Sequence, residues 1–172
     1  RRIVQKIVHG ADGSKTETWE AFDAQGALTE KTAVTTSANG LAVTTTWMGA
    51  GGAVTRAMSE VTTLATDGGS TKTVTTTKAG GALESATVTT TSADKKSVTM
   101  TVDIDGNGVI DQKSTSVVNP DGSVTTTYVD LGADGVAVTA KKIVTESANG
   151  LIVTTDYDTN GDGVVDNRAV AE

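Results

Sequence analysis

Apolar and polar residues alternate along most of this chain. Leu41, Val43, Thr45 and Trp47 fall on one side of an extended segment, and the residues between them are alanine and threonine. The same alternation recurs over 98–104 and 151–157. Because successive side chains of a β-strand point to opposite faces, this pattern predicts strands of roughly eight to ten residues with one apolar and one threonine-rich face. No segment shows a helical period.

Short segments rich in glycine, aspartate and asparagine separate the predicted strands. They include 11–14, 66–70 and 120–123, and they recur about every 13 or 14 residues. Glycine beside aspartate or asparagine supplies the positive φ angles of tight hairpin turns. We therefore expect an all-β fold of antiparallel strands.

The chain also repeats itself with a period of about 55 residues. The segment 35–47 returns at 90–103 and at 145–158, and the turns and loops between them keep the same spacing. This predicts repeat 1 at 1–55, repeat 2 at 56–111 and repeat 3 at 112–166, each with about four strands. Residues 167–172 resemble the start of repeat 2, so we expect a fourth repeat to begin there and the chain to be part of a longer array.

The pattern does not determine how the predicted strands are arranged in three dimensions. Two sheets packed through their apolar faces would form an elongated sandwich, a coiled sheet would form a solenoid, and an uncoiled one a simple meander. Four-stranded repeats of this length also resemble propeller blades, but three blades would not close a ring. We favour an extended stack of repeats.

The composition points to a thin core. The chain has 33 threonines and 22 valines but only five aromatic residues, and it has no cysteine. Its net charge of −7 comes from scattered acidic residues, which excludes a basic surface for nucleic acid. No stretch approaches the roughly 18 apolar residues of a membrane span, so we expect no membrane insertion.

The strongest chemical signal is a nine-residue loop that occurs twice. We name residues 103–111, which read D-x-D-x-N-G-x-x-D, loop A; residues 158–166, which exchange Asp and Asn at positions 3 and 5, are loop B. Oxygen-bearing side chains at alternate positions, with glycine at position 6 for the sharp turn, suit Ca²⁺. The predicted ligands, which include the position 7 carbonyls, are Asp103, Asp105, Asn107, Val109 and Asp111 in loop A, and Asp158, Asn160, Asp162, Val164 and Asp166 in loop B.

The two loops differ from an EF-hand. Position 12, where an EF-hand places a bidentate glutamate, is Ser114 or Ala169, and no flanking helices are expected. An affinity of about 10⁻⁴ to 10⁻³ M, typical of extracellular modules, would let the sites fill outside cells. The corresponding loop of repeat 1 has no carboxylate at the ligand positions and should bind nothing. The alternative interpretation is that loops A and B are solvated Asp-Gly turns without metal.

Other candidate residues favour ordinary structural roles. His9 is the single histidine, and without cysteine it makes neither a catalytic triad nor a zinc site. The aromatic residues are dispersed in sequence, so we expect packing in the core or at strand ends. Threonine runs such as 44–46, 75–77, 89–91 and 125–127 could form a flat hydroxyl surface of the kind that binds ice, but β-propensity accounts for them.

The TTTSADK and TTSANGL segments, the DGS turns and the paired loops together resemble repeat regions of bacterial secreted calcium-binding proteins of the RTX-like, type I secreted and adhesin group. The tandem GGxGxDxUx nonapeptide of RTX proteins is absent, so a parallel β-roll is not implied. The resemblance implies export and folding on contact with external calcium. It also implies a role as a surface stalk, matrix component or filament.

We therefore expect an extracellular or cell-surface structural or adhesive module stabilised by calcium. Its expected partners are neighbouring repeats of a longer chain and other copies of itself. The alternative is a module that binds glycan, ice or protein through the threonine-rich face, or a self-assembling fibre subunit. We expect no enzyme, because no acid, base and nucleophile share a motif.

Overall fold

The computed structural model describes residues 2–172, and they form an all-β structure. Thirteen antiparallel strands belong to one sheet, and their order in the sheet follows the chain. A single 3₁₀ turn (Ala50–Gly52) is the one helical segment of the described residues. The strands are β1 (Arg2–His9), β2 (Lys15–Phe22), β3 (Leu28–Thr36), β4 (Ala42–Met48), β5 (Val54–Leu64), β6 (Ser70–Lys78), β7 (Leu83–Thr91), β8 (Ser97–Asp103), β9 (Gln112–Val118), β10 (Val124–Leu131), β11 (Val138–Glu146), β12 (Val153–Asp158) and β13 (Asn167–Ala171).

The connections that leave odd-numbered strands share one construction. After β1, the Asp12 carboxylate accepts a hydrogen bond of 3.0 Å from the Ser14 amide, and Gly13 has a φ of 84°. After β3, the Asn39 side-chain oxygen accepts the equivalent bond of 3.0 Å from Leu41. The same bond recurs from residue 69 to 67, 96 to 94, 123 to 121 and 151 to 149. A short side-chain acceptor thus fixes each turn, which is why Asp and Asn punctuate the sequence here.

The first compact unit comprises Arg1–Thr63 and Lys72–Ala86. Strand pairing places residues from β1 to β5 in rows across the sheet. One face carries the row Ile7, Glu17, Val34, Thr45 and Met58. The opposite face carries the row Val8, Thr16, Thr35, Thr44 and Ser59, in which the Thr16 and Thr35 hydroxyls lie 3.0 Å apart.

The second compact unit comprises Leu64–Thr71 and Thr87–Glu172. Here β8 to β13 pair in sequence, and they again give two different faces. One carries the row Met100, Ser114, Tyr128, Lys142, Tyr157 and Asn167, and the other carries Thr99, Thr115, Thr127, Ile143, Asp156 and Arg168. In each unit we call the face with the valine, methionine and aromatic side chains the apolar face, and the other the threonine face.

The core is thin, as the composition predicts. The chain exposes 10331 Å², whereas a globular protein of 17.4 kDa exposes about 7,900 Å². The buried residues of the described chain, apart from a glycine, are Ala21, Thr76, Asp103, Ser123 and Asp158. Only one of these is apolar, so most valine and threonine side chains are half-covered by neighbours on the same face rather than enclosed between layers.

The predicted all-β antiparallel meander is confirmed, with one sheet rather than two. Because a sandwich requires a second sheet, the structure gives that alternative no support. The alternation in the sequence specifies which side chains share a face but not what covers that face. No helix within residues 2–172 has the length and apolar character needed to cross a membrane.

Candidate metal loops

Loops A and B both connect an even-numbered strand to the next odd one. Asp103 is the last residue of β8, and Asp158 is the last residue of β12. In each loop the position 9 amide donates to the carbonyl just before the loop, with distances of 2.9 Å from Asp111 to Val102 and 2.7 Å from Asp166 to Tyr157. This bond brings positions 1 and 9 to the same end of the loop.

The position 1 carboxylate organises the turn in both loops. Its two oxygens accept hydrogen bonds from the amides of positions 4 and 6, at 2.7 and 2.9 Å in loop A and at the same distances in loop B. The position 9 carboxylate accepts a bond of 2.7 Å from the position 2 amide in both. Each carboxylate oxygen has a second lone pair, so these bonds leave capacity to bind a cation.

Positions 3 and 5 keep the same bonds although Asp and Asn are exchanged between them. The position 3 side chain accepts from the position 5 amide, at 3.0 Å from Asn107 to Asp105 and 3.0 Å from Asp162 to Asn160. The position 5 side chain accepts from the position 7 amide, at 2.6 Å from Val109 and 2.8 Å from Val164. The two loops are therefore built alike, and they differ in where the negative charge lies.

The first aspartate of each loop is among the most buried residues of the chain. Asp103 is 2% exposed and Asp158 is 6% exposed. Within residues 2–172 neither carboxylate forms an ion pair with a lysine or arginine. A buried charge is normally paired or bound to a metal, so these positions favour a cation.

Loop A brings three predicted ligands together. One carboxylate oxygen from each of Asp103, Asp105 and Asp111 lies within 4.8 Å of the others. The three carboxylates of loop B, which stand at positions 1, 5 and 9, form no such group in the described chain. The reason is the exchange described above, because position 3 in loop B is the neutral Asn160.

Loop B is held closely against the start of β11. Gly161 has a φ of 74°, and a Cβ at this position would lie 2.1 Å from the Val138 carbonyl oxygen. Loop A is held by the connection at 132–137, where a Cβ on Gly135 would lie 2.7 Å from Val109 Cγ1. The Leu131 amide also donates to the Asp111 carbonyl at 2.7 Å. Both loops are thus braced by the sheet beside them.

The position 9 aspartates differ in their surroundings. Asp166 accepts a hydrogen bond of 2.6 Å from the Thr159 hydroxyl and another from the Thr159 amide, and these bonds lower the pKa of its carboxyl group. In loop A position 2 is Ile104, which offers only its amide. Loop B therefore holds its position 9 carboxylate ionised through a bond that loop A lacks.

The corresponding loop of repeat 1 has a different structure. It contains the 3₁₀ turn, closed by a bond of 2.9 Å from the Gly49 amide to the Ala53 carbonyl, and no carboxylate stands at its ligand positions. The prediction that this loop binds no calcium remains untested.

The aromatic residues were interpreted from the sequence as core or strand-end residues, and for two of them this is wrong. Trp19 and Tyr128 lie within strands and are 36% and 42% exposed. Strand register also places Tyr128 and Tyr157 on one face, two strands apart. Sequence separation hid this proximity, and only the pairing of β10, β11 and β12 reveals it.

The remaining candidates lie on the surface. His9 is exposed at the end of β1. Successive threonines of a run point to opposite faces, so Thr125 and Thr127 lie on the threonine face and Thr126 on the apolar face.

A search against models of known protein families and against curated proteins gives no match to the chain.

Proposed function

We propose that the chain is an extracellular structural or adhesive repeat module whose sheet is stabilised by calcium in loops A and B. The group formed by Asp103, Asp105 and Asp111 carries this proposal. Calcium binds oxygen at about 2.4 Å, so two ligands of one ion lie at most about 4.8 Å apart. The loop A carboxylates meet that condition, and both loops contain a buried aspartate without a cationic partner.

The strand bounds support the proposed repeats. Four strands, β1 to β4, lie within 1–55, and β9 to β12 lie within 112–166. β5 to β8 occupy most of repeat 2, and β13 begins where the fourth repeat is expected. A loop therefore follows every fourth strand, and in repeats 2 and 3 this loop carries the proposed calcium ligands.

Calcium would have a structural role because the sheet has almost no buried apolar core. Three carboxylates in each loop repel one another, and two Ca²⁺ ions would change the net charge from −7 to −3. Binding to the folded state alone stabilises it by RT ln(1 + [Ca²⁺]/Kd). At 10 mM calcium and the affinity expected for extracellular modules, this is about 1.4 to 2.7 kcal/mol for each loop.

The proposed location outside the cell follows from that affinity. Extracellular calcium is high enough to occupy such sites, whereas cytosolic calcium is far below the expected Kd. Neighbouring repeats of a longer chain, and other copies meeting at the edge strands β1 and β13, are the partners that this role requires. No catalytic role is proposed for either face of the sheet.

Calcium-dependent melting tests the proposal. The wild type should melt at a higher temperature in 10 mM CaCl₂ than in EDTA, and the Asp103→Ala, Asp158→Ala double variant should lose the shift. Asp12→Ala, which removes a turn aspartate outside the loops, is the matched control and should keep the shift. If the wild-type melting temperature does not respond to calcium, the metal assignment is wrong and the argument for an extracellular location loses its basis.

The threonine face supports one alternative function. Rows such as Thr99, Thr115 and Thr127 place hydroxyls side by side across neighbouring strands. A surface of this kind is the basis of the ice-binding alternative. Ice-recrystallisation inhibition that disappears in a Thr115→Leu, Thr127→Leu variant would favour it, and its absence in the wild type would favour the structural role.

A further inference from the structure

The second compact unit has a cavity of about 500 Å³ on its apolar face. It opens along β8 to β12, with Met100 and Ala140 among the residues at its apolar surface and Tyr128 and Tyr157 beside them. Binding sites for small organic ligands have volumes of about 300 to 1,000 Å³ and combine apolar walls with a few polar groups. This cavity has both properties.

Strand register explains why the two tyrosines share the cavity. Tyr128 on β10 pairs with Lys142 on β11, which pairs with Tyr157 on β12. Their backbones therefore lie about 10 Å apart, two strand spacings. The two residues are 42% and 36% exposed, and Lys142 lies over one face of the Tyr128 ring.

Several polar side chains also line the cavity, among them Gln112, Asp130 and Lys142. Gln112 Nε2 donates to Asp130 Oδ1 at 2.9 Å, which leaves Gln112 Oε1 and Asp130 Oδ2 as acceptors. Lys142 Nζ lies 4.3 Å from the centroid of the Tyr128 ring. Within the described residues Lys142 forms no ion pair, so its ammonium group has no carboxylate partner.

We propose that this cavity binds an oligosaccharide that contains an acidic sugar. A pyranose ring presents a flat C–H face that packs on a tyrosine ring, and its hydroxyls match an amide and a carboxylate placed side by side. The sugar carboxylate would pair with Lys142, which supplies the charge complementarity. A purely apolar ligand would leave Gln112 Oε1, Asp130 Oδ2 and the Lys142 ammonium without a polar contact from the ligand.

The first compact unit provides an internal comparison. Trp19, Thr32 and Trp47 form a similar row across β2, β3 and β4. A neutral threonine stands between these aromatics where Lys142 stands in the other row. The nearest cation, Arg56, covers Trp47 and pairs with Glu84 at 2.7 Å. That row therefore has aromatic rings but no unpaired charge.

The proposal goes beyond the calcium-stabilised module and does not require bound calcium, although Asp158 and Thr159 of loop B also line the cavity. It can be tested in calcium-free buffer with 1 mM EDTA, by calorimetric titration with trigalacturonate and with neutral maltotriose. We expect a Kd of about 0.1 to 1 mM for trigalacturonate and at least fivefold weaker binding of maltotriose. Failure of the calcium proposal would leave this result unchanged, so the two proposals fail separately.

Variants locate the site. Tyr157→Ala should weaken trigalacturonate binding at least tenfold, whereas Tyr157→Phe, which keeps the ring, should bind within about twofold of wild type. Lys142→Gln should remove the preference for the acidic sugar. Trp19→Ala is the matched aromatic control and should leave binding unchanged, and circular dichroism in the same buffer verifies that each variant is folded.

Three results would overturn the proposal. The first is no binding of either sugar at 10 mM. The second is binding that Tyr157→Ala and Lys142→Gln leave unchanged. The third is a preference for maltotriose, or binding of an apolar peptide at these residues without any binding of sugar.

Discussion

Replacing Gly161 by alanine should destabilise the protein far more than the same replacement at Gly40. Both glycines have similar positive φ angles, 74° and 71°, so both variants incur a backbone cost of about 1 to 2 kcal/mol. A Cβ on Gly40 meets nothing within 4 Å. A Cβ on Gly161 would lie 2.1 Å from the Val138 carbonyl oxygen and 2.7 Å from its carbon.

The difference between the two variants follows from that contact. Loop B and the start of β11 would have to separate by more than an ångström, because carbon and oxygen atoms normally stay about 3.3 Å or more apart. Forcing such a movement in packed structure costs about 1 to 3 kcal/mol beyond the shared backbone term. We therefore expect a loss of about 2 to 5 kcal/mol for Gly161→Ala, against about 1 to 2 kcal/mol for Gly40→Ala.

Urea unfolding of the wild type and both variants, followed by circular dichroism, measures this difference. The denaturant midpoint should fall for both and should fall further for Gly161→Ala, with the slope unchanged. Equal destabilisation of the two variants would refute the reasoning, because it would mean that loop B does not lie against β11. Gly163→Ala, with a φ of 87° and open space around its Cβ, should behave like Gly40→Ala.

Three further predictions concern charge. Hydrogen bonds from the Ser123 hydroxyl and amide lower the pKa of Asp121. Because the pKa of Asp121 is lower in the folded than in the unfolded state, the ionised carboxylate stabilises the fold. This stabilisation is complete above about pH 4, and it is lost as the pH falls through the folded pKa. Asp121→Asn should fold normally, as Asn149 does in the equivalent turn, and its melting temperature should fall less than that of the wild type between pH 5 and 3. Arg168→Gln breaks the exposed pair with Asp156, so it should lower the melting temperature slightly at low salt and not at all in 1 M NaCl; an equal effect at both salt concentrations would contradict this. Asn160→Asp should strengthen calcium binding by loop B, because it restores carboxylates at positions 1, 3 and 9, and a calcium titration that shows no gain would count against the loop A ligand set.

The strands were predictable because this sheet obeys local rules. Period-two alternation and Asp-Gly or Asn-Gly turns indicate where each strand begins and ends, and the hydrogen bond that the Asp12 carboxylate accepts from the Ser14 amide shows why those residues recur. The thin core was predictable from composition. That all strands belong to one sheet was not, because the same alternation suits a sheet covered by a second sheet and one exposed to water.

The loops were predictable in part because the spacing of their ligands is a local feature of the sequence. Spacing identified the carboxylate and amide side chains that organise them, including the buried Asp103 and Asp158, but not Thr159, whose hydroxyl donates to Asp166. It could not show that exchanging Asp and Asn preserves the hydrogen bonds while separating the carboxylates of loop B. That distinction depends on which positions face one another in three dimensions. The placement of Tyr128 and Tyr157 on one face, two strands apart, likewise depends on register, which no local pattern encodes.

The sequential order of the strands has a consequence for how the chain folds. Each strand pairs with its neighbours in sequence, so forming a pair closes only a short loop and costs little chain entropy. Most all-β proteins fold slowly because they must join distant segments. Here each new strand can add to the one before it as soon as its turn forms. Such a chain can fold progressively from one end, in the order in which it emerges from a ribosome, without waiting for the rest of its length.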